Sequence, residues 1–279
     1  MIDCIIDALI DTVKLVPYLF LTFLILEYIE HKISKKAQRT LIKYRSIGPA
    51  IGGIFGGFPQ CGFSAMAANL YAARIITMGT LIAVFLSTSD EMLPIMLSEN
   101  APFHLIVAVI GFKILVGVVV GFIIDIIFRQ KAKNHNTIAG LCGDAHCGCD
   151  KNGVFISSLK HTLKTLAFVL AANLIINIVI YFIGTENLSL FLSGNNPLAY
   201  FVSSLIGLIP NCAGSIILTE AYLAGLITTG TAMAGLLTGS GIGILLLFRL
   251  NKSQKENFIV LSVIYFVGVL VGVLVDLVL

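Results

Sequence analysis

The stretch Pro59-Gln60-Cys61-Gly62 returns 151 residues further along the chain as Pro210-Asn211-Cys212-Ala213. The same offset relates a set of polar and small residues, Ser64, Tyr71, Thr77, Gly79 and Thr80, to Ser215, Tyr222, Thr228, Gly230 and Thr231. It also relates Gly117, Gly121 and Asp125 to Gly268, Gly272 and Asp276. No net insertion has entered this stretch, so the sequence predicts two copies of one fold. Internal duplication with interrupted apolar helices is typical of secondary transporters.

The composition of the chain requires a membrane. Of its 279 residues, 57% are hydrophobic and only 12% are charged, which excludes a water-soluble globule of this size. Four apolar stretches reach the roughly 20 residues needed to cross a bilayer: 5–29, 103–128, 154–183 and 258–278. Residues 1–29 carry Asp3, Asp7 and Asp11 where a cleaved signal peptide has basic residues, so we expect a retained helix. The fold class predicted is an all-α polytopic membrane protein.

The distribution of Lys and Arg predicts that the two copies have opposite orientations. Segment 31–46 carries six basic residues, and its counterpart 182–197 carries none. In the next pair the distribution is reversed: loop 98–102 has no basic residue, and its counterpart, the loop after Phe248, has Arg249, Lys252 and Lys255. Because short basic loops stay cytoplasmic, equivalent loops lie on opposite sides of the membrane. We therefore predict inverted repeats over 1–128 and 154–279, joined by a cytoplasmic connector, 129–153. Both termini are expected to be extracellular, in a multi-pass protein of the inner (plasma) membrane of the cell.

Each repeat contains an apolar tract too long for one crossing and short for three, 47–97 and 198–248. First arms over 47–58 and 198–209 would each reach about 18 Å, roughly half a bilayer, and the prolines at 59 and 210 end them. We predict a re-entrant or broken helical hairpin and three full transmembrane helices per repeat, ten helical segments in all, with one crossing over 75–97. Three short tilted crossings per half would satisfy the same charge asymmetry.

The middle of this crossing carries the polar stretch Ser87-Thr88-Ser89-Asp90-Glu91. Each carboxylate costs about 2.5 to 3.5 kcal/mol at the centre of a lipid-facing helix, so we expect both to face a cavity shared with the hairpin tips. The predicted substrate-binding residues are Gln60, Cys61, Asn69, Ser87, Ser89, Asp90, Glu91, Asn211, Cys212 and Glu220. Asp90, Glu91, Cys61 and Cys212 are the candidate metal ligands among them. Oxygen donors suit Mn²⁺ and other hard cations, sulfur suits Zn²⁺, Cd²⁺ or trivalent arsenic, and the majority of carboxylates favours a divalent cation.

Other charged residues have less specific interpretations. Arg74 and Lys113 are candidate counter-charges for the acids, as are Lys14 and Lys164. Asp125 and Asp276 fall near predicted helix ends, where we expect solvated side chains. The Gly-x3-Gly pairs 117/121 and 268/272 are expected to pack helices together.

The connector contains a second group of candidate metal ligands, Cys142, His146, Cys147 and Cys149. Four borderline or soft ligands within eight residues, spaced by Gly and Ala, suit a thiophilic metal such as Zn²⁺ or Cu⁺. The alternative interpretation is a linker that is merely rich in cysteine.

These motifs together resemble the ten-transmembrane heavy-metal exporter family, which is related by name to arsenic permeases and includes members labelled as manganese transporters. The resemblance rests on the paired Pro-Gln-Cys and Pro-Asn-Cys hairpins, the Ser-Thr-Ser-Asp-Glu stretch and the central His/Cys loop, and covers most of residues 5–278. It implies efflux of a metal or metalloid, and the family's ten segments agree with the count above.

The function predicted is secondary-active efflux of a divalent metal cation, manganese or a heavy metal, by alternating access. We find no nucleotide-binding motif and no nucleophile and base at helical spacing, so an ion gradient is the expected energy source and an enzyme is not expected. The expected partners are the lipid bilayer, a small inorganic ion as substrate and a proton or sodium as coupling ion; a homo-oligomer is compatible with the sequence, and nucleic acid is not expected. No cofactor is expected beyond a transported or regulatory divalent metal. The alternatives are a carrier of oxyanions or organic anions, including arsenicals, and a membrane-anchored metal sensor.

Overall fold

The computed structural model describes residues 47–58, 61–89, 92–128, 197–210 and 212–278, with isolated helical positions between 16 and 24 and between 159 and 171. The predicted spans 5–29 and 154–183 fall largely outside the described residues, and the connector 129–153 lies wholly outside them. All regular elements in the described ranges are helices. The all-helical prediction is confirmed for this part of the chain.

Ten helices follow one another in these ranges. The first half contains α1 (Gly48–Gly56), α2 (Cys61–Ala72), α3 (Met78–Ser87), α4 (Met92–Ser98) and α5 (Phe103–Ile127). The second half contains α6 (Leu198–Gly207), α7 (Cys212–Leu223), α8 (Thr229–Thr238), α9 (Gly243–Leu250) and α10 (Gln254–Val278). Each helix of the second half begins and ends within one residue of the position that lies 151 residues after its counterpart.

The N-termini of α3 and α8 show how the sequence sets these boundaries. Thr77 has extended backbone and its hydroxyl accepts a hydrogen bond from the Thr80 amide at 3.0 Å. Thr228 does the same for the Thr231 amide at 3.1 Å. A threonine in this position satisfies one of the amides that a helix leaves free at its start, so the helix begins at the next residue.

The carboxylates of Asp125 and Asp276 accept hydrogen bonds at these N-termini. They are not the solvated side chains that we expected from their positions near helix ends. One Asp125 oxygen accepts from the Gly79 amide at 2.8 Å and the other from the Thr77 hydroxyl at 2.6 Å. Asp276 makes the corresponding bonds with Gly230 and Thr228. Both carboxylates are half-buried, and a negative charge at a helix N-terminus is favourable.

The crossing predicted as one helix over 75–97 is interrupted. The first part ends with α3 at Ser87, and Thr88 takes extended backbone with φ −56° and ψ 129°. In the second half α8 ends at Thr238, and Gly241 has a φ of +54°, a conformation that glycine adopts at little cost. The interruption at Thr88 and Ser89 is called break 1 below, and the interruption at 239–242 is called break 2.

The broken crossings are more deeply buried than the continuous helices α5 and α10. In the part of the chain that the structure describes, four segments are long and apolar enough to span a membrane: Met78–Ser98, Phe103–Ile127, Thr229–Leu250 and Gln254–Val278. The apolar stretches of the two broken segments are 75% and 78% buried, against 28% and 33% for α5 and α10. Exposed hydrophobic side chains therefore concentrate on α5 and α10, as expected for helices that face lipid.

Glycine pairs allow α5 and α10 to approach the broken helices closely. A Cβ atom on Gly121 would lie 2.6 Å from the Gly79 carbonyl oxygen, and one on Gly272 would lie 2.7 Å from the Gly230 carbonyl oxygen. Since neither approach is compatible with a side chain, the packing role predicted for the Gly-x3-Gly pairs is confirmed.

Helices of the two halves pack against each other. Helix α2 packs against α9 of the other half, and α7 packs against α4. The first contact is close, because a Cβ on Gly243 would lie 2.9 Å from the Ser64 Cβ. Both hydrophobic clusters of the core contain residues from each half.

Candidate functional site

Buried hydroxyl groups surround both breaks. At break 1 and the helix end before it, Ser87, Thr88 and Ser89 are between 0% and 2% exposed. Their hydroxyls donate to main-chain carbonyls: Ser87 to Ala83 at 2.8 Å, Thr88 to Val84 at 2.7 Å, and Ser89 to Ser87 at 3.2 Å. Each hydroxyl oxygen keeps lone pairs that can accept a hydrogen bond or coordinate a cation.

Break 2 contains a buried hydroxyl without a hydrogen-bond partner. Ser240 is 1% exposed, and its Oγ is the one buried side-chain polar atom in the described ranges that makes no hydrogen bond. Its counterpart 151 residues earlier is Ser89. An unsatisfied buried hydroxyl costs about 1 to 3 kcal/mol, so its presence in a native structure calls for an explanation such as a bound ion or water. Ser240 is not among the substrate-binding residues predicted from the sequence, because a single serine beside glycines gives little local signal.

Lys113 connects break 1 with the last turn of α8. It lies on α5, is 1% exposed, and its ammonium donates to the carbonyl of Thr88 and, at 2.7 Å, to that of Leu236. Thr88 follows the end of α3 and Leu236 lies in the last turn of α8. Helix C-termini carry free carbonyls and a partial negative charge, which an ammonium neutralises. A lysine in the middle of an apolar span was the sequence signal for this residue, although not for its partners.

Two helices begin at the cysteines of the predicted hairpin tips. Helix α2 begins at Cys61 and α7 at Cys212, directly after the Pro-Gln and Pro-Asn pairs. Gln60 and Asn211 lie outside the described residues, as do the side chains of Cys61 and Cys212. Their role in binding stays a prediction.

The acids of the predicted site are only in part within the described residues. Asp90 and Glu91 fall in the interval between α3 and α4, outside the description, as do Cys142, His146, Cys147 and Cys149 of the connector. Within the described ranges no three His, Cys, Asp or Glu side chains converge on one point. The metal sites predicted at these positions therefore stay predictions.

Asn69 and Glu220, which occupy equivalent positions on α2 and α7, have different surroundings. Asn69 is 2% exposed and its amide donates to the Ala65 carbonyl of its own helix at 3.0 Å. Glu220 is exposed. Ligand roles for both residues stay predictions.

Arg74, proposed as a counter-charge, has a carboxylate partner at the membrane boundary. Its guanidinium lies 2.7 Å from a Glu256 oxygen, which also accepts from the Tyr71 hydroxyl at 2.8 Å. Burial lowers the pKa of Arg74, but the hydrogen bond and charge of Glu256 outweigh it and raise the pKa above its usual value. The residue has a φ of +61°, and its counterpart is Gly225 with +71°. The pair joins the first half to the second near Arg249 and Lys252.

Buried polar breaks inside a helical protein with lipid-facing outer helices define a polytopic membrane transport protein. A family model described as "Putative, 10TM heavy-metal exporter" matches residues 1–147 and 149–279, which is every residue except 148. The chain therefore belongs to this family of membrane transporters, and the resemblance inferred from its sequence is confirmed. No curated protein and no solved structure matches the chain.

Proposed function

We propose that the protein exports a divalent metal cation, manganese or a heavy metal, by a secondary-active mechanism in which the cation binds at the two helix breaks. The observation that carries this proposal is the burial of the hydroxyls of residues 87–89 and of Ser240 in a protein whose helices α5 and α10 expose apolar side chains. A protein that needed only a membrane anchor would have no reason to keep such polar groups inside.

The ligand chemistry proposed for the site is mainly oxygen. The carboxylates of Asp90 and Glu91 would supply charge, and the hydroxyls of Ser87, Ser89 and Ser240 would complete the coordination. Hard divalent cations bind such oxygen sets, whereas Cys61 and Cys212 at the tips would favour thiophilic metals. The unpartnered Ser240 oxygen supports this assignment, since a bound ion would satisfy it.

Alternating access would arise from two inverted repeats that rock against each other. In support, α2 packs against α9 and α7 packs against α4, which are equivalent contacts of the two halves. By the distribution of basic residues the loop that follows α9 is cytoplasmic and the loop that follows α4 is extracellular, so these equivalent contacts lie towards opposite faces. With this topology both termini are extracellular and the connector 129–153 is cytoplasmic. A proton or sodium gradient would drive the cycle.

The test is the effect of Mn²⁺, Zn²⁺, Cd²⁺, Mg²⁺, arsenite and organic anions on thermal unfolding of the purified protein. The chain has no Trp, so the helical circular dichroism signal is the suitable readout. We expect a divalent cation to stabilise the wild type and the deletion of 142–149, but not Asp90→Asn/Glu91→Gln. Glu99→Gln, which removes one negative charge at an exposed residue of the same half, is the control. If only the loop deletion abolishes the shift, the protein is a membrane-anchored metal sensor instead.

A second candidate function, transport of an oxyanion or organic anion, is favoured by one observation. The buried ammonium of Lys113 lies at the breaks, and helix N-termini at the hairpin tips also attract anions. In this case Asp90 and Glu91 would hold the coupling ion. Stabilisation by an anion that survives Asp90→Asn/Glu91→Gln would establish this alternative, which includes export of arsenicals.

A further inference from the structure

We propose that the Lys113 ammonium is a tethered substitute for a monovalent cation, and that the main-chain carbonyls of Thr88 and Leu236 form the cation site that it fills. The two carbonyls belong to different halves of the chain, and both accept from the same nitrogen. The side chain is 1% exposed, so these bonds are made without competition from bulk water.

The surroundings of the nitrogen have the chemistry of a cation site. Carbonyls at helix C-termini lack intrahelical partners and carry the negative end of the helix dipole. In transporters with interrupted helices, such carbonyls bind the Na⁺ or H⁺ that drives the cycle. Here a covalently attached charge occupies the place of the ion, at the point where the ends of α3 and α8 approach each other.

The site is specific to one half of the chain. The residue 151 positions after Lys113 is Ile264, which is fully buried but carries no charge. Lys113 is also the only Asp, Glu, Lys or Arg below 9% exposure in the described ranges. Ile264 shows that an aliphatic side chain is enough to fill the equivalent space in the second half. The ammonium group of Lys113 therefore has a role other than filling space.

The tethered charge has a consequence for ion dependence. It neutralises the two helix ends at all times, so the folded protein should need no Na⁺ or K⁺ at this point. It also means that any motion that separates break 1 from the end of α8 must break the bond of Lys113 to Thr88 or its bond to Leu236.

The experiment replaces the tether by a free ion. Lys113→Ala removes three methylene groups and the ammonium, which together correspond to propylammonium. We expect the Tm of this variant to fall by about 5 °C or more, and K⁺, Na⁺ or propylammonium to restore at least half of that loss when choline keeps the ionic strength constant. The readout is thermal unfolding and needs no metal substrate, so it is independent of the proposed export activity.

Ile264→Ala is the matched control, because it opens a cavity at the equivalent position without removing a charge. Its Tm should fall but should not recover with any of these cations. A folded Lys113→Ala variant that none of the cations stabilises, or an Ile264→Ala variant that recovers equally, overturns the proposal.

Two measurements decide the question even if Lys113→Ala does not fold. Lys113→Met keeps most of the side-chain volume but lacks the charge. The Tm of this variant should therefore also fall, and the cations should not restore it. A Tm equal to that of the wild type would refute the proposal. The wild type should be insensitive to K⁺, which is not a proposed coupling ion, at constant ionic strength. A shift of about 5 °C in the wild type would show that the site is not already filled.

Discussion

Asp276 offers a quantitative test of how the broken helix α8 is held in place. Its carboxylate accepts three hydrogen bonds: from the Thr228 hydroxyl, from the Gly230 amide at 2.6 Å and from the Tyr200 hydroxyl at 2.8 Å. The acceptor lies near the end of α10, the amide at the start of α8 and the phenol on α6. One carboxylate thus joins three helices of the second half.

Removing this carboxylate should destabilise the protein substantially. Hydrogen bonds to charged groups contribute about 1.5 to 3 kcal/mol when buried, and the half-buried position of Asp276 places each near or below the lower value. We expect Asp276→Ala to lower the free energy of unfolding by about 3 to 4 kcal/mol, which corresponds to a Tm lower by roughly 6 to 12 °C. Tyr200→Phe removes one of the three bonds and should cost about 1 kcal/mol.

The assay is a double-mutant cycle on these two residues, followed by circular dichroism. In the Asp276→Ala background, Tyr200→Phe should cost close to nothing, because its acceptor is already absent. The reasoning is refuted if Tyr200→Phe costs the same in both backgrounds, or if Asp276→Ala changes the Tm by less than about 2 °C.

Three further predictions concern packing, the boundary ion pair and break 2. Gly272→Val should lower the free energy of unfolding by about 1 to 3 kcal/mol, because the new side chain would collide with α8. Gly111→Ala should be neutral or stabilising, because nothing lies within 4 Å of the added Cβ. Comparison of the Tm values of the two variants checks this. Arg74→Ala and Glu256→Gln should each lower the free energy of unfolding by about 1 kcal/mol or less, and this difference should disappear in high salt. Arg74→Gly should be less destabilising than Arg74→Ala, because glycine adopts the positive φ of this residue without strain. Ser240→Ala should leave the Tm unchanged or raise it by a few degrees, since it removes an unsatisfied hydroxyl. The same variant should be stabilised less by the substrate cation. A lower Tm without the cation would show that the Ser240 hydroxyl has a hydrogen-bond partner.

Local signals in the sequence were sufficient for the helix boundaries near proline and for the glycine contacts. The arms predicted over 47–58 and 198–209 appear as Gly48–Gly56 and Leu198–Gly207, and the second arms begin at the cysteines that follow the tips. Proline restricts its own backbone and that of the residue before it, so these boundaries are determined within a few residues of chain.

The contacts at the breaks could not be predicted in the same way. Residues 75–97 read as one apolar crossing, and the interruption at Thr88 depends on groups that are distant in sequence. Lys113 is 25 residues from Thr88 and 123 from Leu236, and Asp125 is 46 residues from the amide that it accepts from. No periodicity links such positions, so the sequence identified Lys113 as a costly charge without identifying the carbonyls that bind it.

The packing of α2 against α9, and of α7 against α4, has a consequence for biosynthesis. When the first half leaves the ribosome, α2 and α4 have been made but the surfaces that cover them have not, so neither can reach its final environment until the second half is inserted. The first half should therefore remain an incomplete intermediate, accessible to proteases and chaperones, for the time needed to translate some hundred further residues. Two halves expressed as separate polypeptides should accumulate only when both are present in the same cell.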